Sequence, residues 1–358
     1  MKRQRVYTGI ALMAALLCGL IGPVSVSAAP ARQCVQVARS VTVSPTNPTS
    51  YQVAGWLCWQ GTLSNKTVQF LEHGLSYDHN YWDWPLQPQK FSYVDAATKA
   101  GYATFTIDRL GAGLSDHPAD PSVLTTESEA FVAHQLIQQL RSGAIGGTAF
   151  TKVISVGHSY GSQVAAYEAA TYNDVDGVIL TGSLHDLTPE TFTVIAPTFY
   201  PAFLDAKFAS AGLAPGYLTT MPGTRGTDFY NAKFADPDVI ALDETLKQTG
   251  TASEIATITD GSAVTGAIHV PVLLTLGQED LFFCNNTPSF SCADSTTVLA
   301  RESSHFAPQA CLEAYVQPRS GHDTTLHQSA NLGYKATLDW ANRRIGSDGV
   351  APRQLCAQ

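Results

Sequence analysis

Gly157-His158-Ser159-Tyr160-Gly161 is the stretch that decides the fold. It follows a β-branched run at 152–156 and precedes residues 163–170, which have helical spacing. A serine between a strand and a helix, with glycine two residues away on each side, indicates a very sharp turn, because larger side chains at the flanking positions would collide. The N-terminus of the following helix adds partial positive charge and free N–H groups. This G-x-S-x-G pattern predicts that Ser159 is a nucleophile and that His158 only supports the turn.

Outward from this turn, short apolar runs alternate with helical stretches along most of the chain. The strand-like runs are 35–43, 51–59, 67–71, 103–107, 152–156, 177–180, 270–276 and 312–316. Helical spacing marks 91–99, 128–141, 163–170 and 325–344. This alternation predicts an α/β fold with a mostly parallel central sheet flanked by helices. In such a sheet the chemistry collects beyond the carboxyl ends of the strands.

One segment interrupts the alternation. The residues between Leu180 and Val270 show no clear strand–helix order and are rich in phenylalanine and tyrosine. We interpret residues from about 183 to 268 as a mainly helical cap, inserted after the sixth strand over the carboxyl ends of the sheet. The alternative is additional core for the main domain.

Two further patterns, taken with the serine turn, resemble the α/β-hydrolase fold superfamily over nearly the whole chain beyond its N-terminal leader. His73-Gly74 after a strand resembles the oxyanion turn of that family, and Asp108–Ser115 resembles its D-x-x-G-x-G-x-S loop beside the nucleophile. The resemblance implies that the backbone N–H groups of Leu75 and Tyr160 stabilise an oxyanion.

The resemblance also implies a base and an acid. A serine hydroxyl needs a base to remove its proton, and the base needs a carboxylate to orient it. In this family the chain order is serine, acid, histidine. The end of the run 271–280 resembles the strand end that carries the acid, which implies Asp280, with Asp186 as the substitute. Gly321-His322-Asp323 resembles the final turn, which implies His322 as the base.

The remaining histidines fit this role less well. His305 and His327 lack the placement after a strand and a turn, and we expect His134 and His185 to be ordinary polar positions on a helix and a loop. Glu279, next to the predicted acid, should point to the other side of its strand end.

The N-terminus has the features of an export signal. Basic residues at 2, 3 and 5, an apolar run at about 9–21 and small residues at 25–29 follow one another in the order typical of a signal peptide. We therefore expect a signal peptide at 1–28, a hydrolase domain at 29–358, and secretion. A retained membrane anchor is the alternative, although the apolar run is short for a membrane span.

Six of the seven cysteines lie beyond this leader, which contains Cys18. An even number in an exported chain suggests three disulfides, but six cysteines allow 15 connectivities. Neighbour pairing is the simplest and gives Cys34–Cys58, Cys284–Cys292 and Cys311–Cys356. A bridge at Cys284–Cys292 would hold the loop after Asp280, although plain extracellular stabilisation explains the cysteines equally well. No Cys/His spacing supports a metal site, and we predict neither a metal nor a cofactor.

Composition limits the partners. The chain has 358 residues, of which 14% are charged, and a formal net charge of −9 that becomes more negative without the three basic residues of the leader. With no basic patch, we expect no nucleic-acid partner and no stable membrane anchor after leader removal. Oligomeric state is not predicted.

The resemblance implies a secreted serine esterase- or lipase-like enzyme that cleaves esters or lactones by two-step acyl transfer. The aromatic-rich cap favours apolar or aromatic substrates. A serine aminopeptidase of the same fold is one alternative, in which Glu190, Glu244 or Glu254 of the cap would hold the substrate amine. A non-catalytic binding protein on the hydrolase fold is another.

Overall fold

The centre of the molecule is an eight-stranded sheet built from the predicted apolar runs. The computed structural model describes residues 30–350 together with Met1 and Gln4. The strands of the sheet in chain order are β1 (Arg32–Ser44), β2 (Asn47–Gln60), β3 (Val68–Glu72), β4 (Ala103–Ile107), β5 (Val153–His158), β6 (Gly177–Thr181), β10 (Val272–Gly277) and β11 (Glu313–Gln317), the numbers 7 to 9 belonging to the insertion below. Every residue of β3, β4 and β5 is buried, as expected for parallel strands covered on both faces.

The order of the strands is β1-β2-β4-β3-β5-β6-β10-β11. The pairs from β4 to β11 are parallel, whereas β1 and β2 form an antiparallel hairpin whose second strand pairs antiparallel with β4. The predicted mostly parallel sheet is therefore confirmed. Parallel pairing brings the carboxyl ends of β3, β5, β6, β10 and β11 to one edge of the sheet, where loops with functional side chains collect.

Helices of the main domain pack against this sheet. They are α1 (Pro88–Phe91), α2 (Tyr93–Lys99), α3 (Thr126–Arg141), α4 (Tyr160–Tyr172), α9 (Ser295–Glu302) and α10 (Ala330–Arg344), with the intervening numbers again in the insertion. Thr125 begins α3 with a capping box, in which its hydroxyl accepts from the Ser128 N–H and the Ser128 hydroxyl accepts from the Thr125 N–H. Helices α3 and α4 pack on each other, and α10 packs on α2.

The insertion between β6 and β10 contains short helices and one small sheet. Its strands are β7 (Phe199–Pro201), β8 (Tyr217–Thr220) and β9 (Gly250–Thr251), and its helices are α5 (Arg225–Asp228), α6 (Pro237–Leu246), α7 (Ala252–Ala256) and α8 (Asp260–Val264), with a π-helical turn at Thr191–Ile195. The segment contains more helix than strand. Its antiparallel sheet β7-β8-β9 does not follow from the sequence pattern, because strands of two to four residues are too short to show alternation.

Two of the predicted disulfides are present. Cys34 and Cys58 lie opposite each other in the β1–β2 hairpin, and the pairs Cys34–Cys58 and Cys284–Cys292 are bonded. Cys356 and the predicted signal peptide lie outside the described residues, so the third pair and the leader stay predictions. None of the described helices is both long and apolar enough to cross a membrane.

Candidate active site

The serine turn has the sharp geometry that its glycines predict. Strand β5 ends at His158 and helix α4 begins at Tyr160, so Ser159 alone makes the turn, with φ 54° and ψ −118°. A positive φ at a residue with a side chain is strained, and such strain concentrates at functional sites. A Cβ atom on Gly157 would lie 2.3 Å from the Gly161 carbonyl oxygen, and one on Gly161 would lie 2.4 Å from the Glu72 carbonyl oxygen. Neither position therefore has room for a larger residue.

His322 and Asp280 lie together at the same edge of the sheet. Asp280 follows β10 and His322 follows β11, and the Asp280 Oδ2 atom lies 2.9 Å from His322 Nδ1. The other Asp280 oxygen accepts from the backbone N–H of Phe282 at 3.0 Å. Both side chains are buried. The carboxylate thus has its acceptor atoms fixed, which orients the imidazole ring and favours its proton on Nδ1.

The protonation of His322 reflects two opposing effects. Burial by itself would lower the pKa of His322, but the charge of Asp280 and the hydrogen bond to it outweigh burial and raise the pKa above its ordinary value of 6.5. The ring of Phe282 stacks on the imidazole, with centroids 4.1 Å apart. A histidine whose charged form is stabilised in this way is suited to accept a proton during a reaction.

Ser159 and His322 open onto one cavity. Both line a pocket of about 260 Å³. Among the described residues neither the Ser159 hydroxyl nor His322 Nε2 forms a hydrogen bond, since His322 is bonded only through Nδ1. These two groups therefore remain available to each other and to a bound molecule. Hydrogen bonds of this kind are often long in the unliganded state and tighten when substrate binds.

The predicted oxyanion turn lies against the serine. A Cβ atom on Gly74 would lie 3.0 Å from Ser159 Cβ, so the backbone next to Leu75 is close to the Ser159 side chain. Tyr160 is the first residue of α4 and its N–H has no acceptor within the helix. The Leu75 N–H likewise has no acceptor among the described residues. Two unpartnered N–H groups beside a nucleophile are the donors that an oxyanion requires.

Arg109 holds the turn at His73-Gly74 through contacts of its side chain and its backbone. Its Nε donates to the His73 carbonyl at 3.1 Å, its Nη2 lies 3.5 Å from the Gly74 carbonyl, and its backbone N–H donates to the His73 ring at 3.0 Å. The guanidinium is buried and forms an ion pair with Glu254 of α7. Burial and the charge of Arg109 lower the pKa of His73 to about 3, so that ring is neutral and accepts the hydrogen bond. Sequence reasoning missed Arg109, because Glu254 is 145 residues away in the chain.

A second buried network lies next to His322, and sequence reasoning also missed it. The Tyr77 hydroxyl donates to Asp323, which follows His322, and lies 3.1 Å from Asp243 Oδ2 in α6. Arg225 of α5 pairs with Asp243 at 2.9 Å, and its guanidinium lies 4.2 Å from the centroid of the Tyr77 ring. The network thus connects the inserted segment to the loop that carries His322. Asp323 is visible in the quoted Gly321-His322-Asp323, but its partners are distant in sequence and no short pattern reveals them.

His158 belongs to this network and not to the reacting groups. Its ring is buried, stacks on Tyr81 with centroids 4.1 Å apart, and contacts Thr181 at 3.0 Å and Asp323 at 3.3 Å. Burial and the nearby charge of His322 hold the pKa of His158 well below its ordinary range. A neutral ring with both nitrogens engaged supports the turn, in keeping with the sequence prediction.

The competing residues lie elsewhere. Asp186 and Glu279 are exposed, and neither contacts His322. His305 stacks on the ring of His185, and His327 Nε2 accepts from two backbone N–H groups. The structure thus brings together Ser159, His322 and Asp280, together with the N–H groups of Leu75 and Tyr160.

The cavity is lined almost entirely by apolar side chains. Its described lining consists of Leu75, Tyr77, Ser159, Leu187, Thr191, Phe192, Ile195, Ala196, Phe199, Leu218, Phe229, Ile255, Ile258, Phe282 and His322. Ten of these fifteen residues come from the inserted segment. No carboxylate or cationic side chain other than His322 is among them. Such a pocket binds an apolar group next to a few polar atoms.

Two clusters of described residues have the composition of a metal site. Asp78, His79 and Asp108 form one cluster, and His134, Glu168 and Asp174 form the other. In the first cluster the carboxylates already accept from protein donors, including the His79 and Leu114 backbone N–H groups at 2.8 Å. Neither cluster contributes a residue to the cavity that holds Ser159.

Comparison with known proteins gives a family and a fold. A family model described as the alpha/beta hydrolase family matches residues 70–332. A soluble variant of monoglyceride lipase from Saccharomyces cerevisiae aligns with a TM-score of 0.56 and 18% identity, covering 89% of this chain and 97% of that one. An esterase from Exiguobacterium antarcticum aligns with a TM-score of 0.55 and 14% identity, covering 84% of this chain and 98% of the esterase. A bromoperoxidase from Bacillus anthracis aligns with a TM-score of 0.56 and 14% identity, covering 86% of this chain and 100% of the bromoperoxidase. Among curated proteins there is no match. At these identities the structures establish the fold alone.

Proposed function

We propose that this chain, which belongs to the alpha/beta hydrolase family, is a secreted serine hydrolase that cleaves carboxylic esters or lactones of apolar or aromatic substrates. The observation that carries the proposal is the convergence of Ser159 and the Asp280-paired His322 on one apolar cavity. The fold alone does not decide the reaction, since a bromoperoxidase shares it.

The first half-reaction forms an acyl-enzyme. Ser159 Oγ attacks the acyl carbonyl carbon while His322 Nε2 accepts the hydroxyl proton, and Asp280 stabilises the imidazolium that results. The N–H groups of Leu75 and Tyr160 donate to the oxyanion of the tetrahedral intermediate. His322 then returns the proton to the leaving alkoxide oxygen, and the alcohol departs.

The second half-reaction releases the acid. A water molecule takes the place of the alcohol, His322 accepts its proton, and the hydroxide attacks the acyl carbon. The intermediate collapses, the bond to Ser159 Oγ breaks, and His322 returns the proton to that oxygen. A lactone follows the same steps, with its alcohol retained on the released acid.

The cavity supports an apolar substrate group. Each methylene moved from water into such a pocket contributes about 0.8 kcal/mol, which corresponds to about a four-fold gain in kcat/KM. We propose that the insertion at about 183–268 acts as a cap, because it supplies ten of the fifteen residues that line the cavity, including Phe199, Leu218 and Phe229. Acyl-chain preference should therefore rise with length until the cavity is filled.

The aminopeptidase alternative finds less support. A peptidase that releases N-terminal residues needs a carboxylate in the cavity to hold the substrate amine. Glu254 is buried in its ion pair with Arg109, and Glu244 pairs with Lys247 at 2.8 Å. Glu190 accepts from Asn285 at 3.3 Å and lines a different, polar depression. None of the three lines the cavity of Ser159.

A panel of substrates tests this proposal. The oxidised protein without residues 1–28 is assayed with p-nitrophenyl esters of increasing acyl length and with aminoacyl p-nitroanilides. We expect turnover of the esters, a rise in kcat/KM with chain length, and no turnover of the anilides. Loss of turnover in His322→Gln, and its retention in the matched exposed variant His305→Gln, would assign the activity to this site. Preference for the anilides would overturn the proposal in favour of the peptidase.

A further inference from the structure

A second polar cluster lies on the helices behind the active site. It consists of His134 on α3, Glu168 on α4 and Asp174 just after α4. Glu168 is eight residues along α4 from Tyr160, which places it about 12 Å from the serine turn at 1.5 Å per residue. The cluster takes no part in the reaction proposed above.

Most carboxylate oxygens of this cluster have no hydrogen-bond donor within the described chain. Glu168 is fully buried and its carboxyl group is adjacent to that of Asp174. Neither Glu168 oxygen accepts from a donor among the described residues, and the same holds for the buried Asp174 Oδ1. Asp174 Oδ2 does have donors, since it lies 2.7 Å from His134 Nδ1 and 2.6 Å from Gln138 Nε2. Three buried carboxylate oxygens of this cluster therefore have no hydrogen-bond donor in the part of the chain that the structure describes.

Such an arrangement calls for a positive charge. An isolated carboxylate is costly to bury, and it either takes up a proton or binds a cation. The Arg141 guanidinium is engaged elsewhere, with the Asp174 carbonyl at 2.8 Å and with Asp176 at 2.7 Å. Arg141 therefore stabilises the loop at 174–176 and donates to neither the Glu168 oxygens nor Asp174 Oδ1.

We propose that His134, Glu168 and Asp174 bind one divalent transition-metal ion of the Zn²⁺ type. One ligand atom from each residue lies within 4.8 Å of the others. Ligand atoms about 2.1 Å from a tetrahedral ion are about 3.4 Å from one another, so binding needs these separations to contract by up to about 1.4 Å through side-chain rotation. Two carboxylates balance the charge of the ion, and the imidazole selects Zn²⁺ over Ca²⁺ or Mg²⁺.

The surroundings of the cluster suit a bound ion. The His134 and Asp174 side chains are 26% and 13% exposed, which gives the ion a way in and leaves room for water as a further ligand. The ring of Tyr172 stacks on the His134 ring with centroids 4.1 Å apart and holds its orientation. The spacing of the three residues matches no metal-binding sequence pattern, so sequence analysis predicts no such site.

The ion would have a structural role. It would join α3 to the end of α4 and to the loop that leads into β6, and it would stabilise the folded chain in proportion to its concentration above the dissociation constant. The helix it holds is the one that begins at the serine turn.

Metal titration tests this inference. The oxidised protein is treated with chelator, dialysed, and titrated with Co²⁺, followed by visible absorption, and with Zn²⁺, followed by calorimetry and by thermal unfolding. We expect one ion per chain and a melting temperature that rises with Zn²⁺ concentration. Glu168→Gln should weaken binding by more than about 100-fold, since losing even an outer partner of a metal ligand costs about 10–100-fold.

The controls separate the cluster from other effects. Asp78→Asn, in the first cluster, should leave Zn²⁺ binding unchanged. Glu168→Gln removes a buried charge and should stay folded, which circular dichroism checks, and His134→Ala provides a second variant. Absence of binding in the wild-type protein, or binding that Glu168→Gln leaves intact, would overturn the inference. If the wild-type protein binds no metal, the carboxyl groups of Glu168 and Asp174 share a proton instead.

Discussion

The substitution Asp280→Asn isolates the part of the site that orients the base. Asparagine keeps the size of the side chain, and its oxygen can still accept from the Phe282 N–H at 3.0 Å. Its NH₂ group, however, would face His322 Nδ1, where the Asp280 Oδ2 atom now lies at 2.9 Å. Because an NH₂ group only donates, it forces the His322 proton onto Nε2. The ring can then no longer accept the proton of Ser159.

The size of the effect follows from this change of tautomer. Imposing the wrong tautomer in a serine triad lowers kcat by about 10⁴-fold, which corresponds to about 5.4 kcal/mol of lost transition-state stabilisation. The full loss is expected here because both side chains are buried, so the amide stays beside His322 Nδ1. Exposed Asp186→Asn is the matched control and should retain wild-type activity.

The pH dependence provides a second measurement on the same variant. In the wild-type protein kcat/KM should rise as His322 loses its proton, at a pKa above 6.5. Since burial lowers this pKa and Asp280 raises it, the acid limb of the residual activity in Asp280→Asn should move to lower pH. Initial rates of p-nitrophenyl butyrate hydrolysis across the pH range measure both quantities. Activity within about ten-fold of wild type, or an unmoved acid limb, would refute the assignment of Asp280.

Three further changes test the supporting structure. Gly161→Ala places a Cβ atom 2.4 Å from the Glu72 carbonyl oxygen and should destabilise the fold by about 1–3 kcal/mol; an unchanged melting temperature would contradict the geometry of the turn. Tyr77→Phe removes the hydroxyl that donates to buried Asp323 and should lower the free energy of unfolding by about 1–3 kcal/mol, seen as an earlier urea midpoint; no shift would mean that Asp323 is satisfied in another way. Replacing Cys284 and Cys292 by serine should lower the free energy of unfolding by about 2.5 kcal/mol, the value expected for a disulfide that closes a loop of this length. Urea unfolding of the oxidised protein measures it, and a change near zero would argue against a stabilising bridge.

The elements that sequence alone predicts are those whose causes are local. The apolar runs, the helical stretches and the serine turn depend on neighbouring residues, so the sheet and the sharp geometry at Ser159 follow from the pattern. The bond between Cys34 and Cys58 agrees with the simple neighbour pairing, whereas the hairpin that places the two residues opposite each other is seen only in the structure.

The remainder depends on contacts between residues far apart in the chain. Tyr77 contacts Asp243 and Asp323, which are 166 and 246 residues away in the chain. Arg109 contacts Glu254, which is 145 residues away. A buried charge of this kind shows no periodicity and looks in sequence like a surface residue. The small sheet β7-β8-β9 escapes prediction for another reason, since its strands are held by tertiary pairing rather than by their own pattern.

The most direct test of the central claim is covalent labelling of the nucleophile. The oxidised protein is treated with a fluorophosphonate, and the modified residue is identified by peptide mass spectrometry beside Ser159→Ala. We predict stoichiometric labelling at Ser159, slowed in His322→Gln and absent in Ser159→Ala. Folded protein that takes up no label at Ser159 would contradict the claim and leave a binding protein on the hydrolase fold.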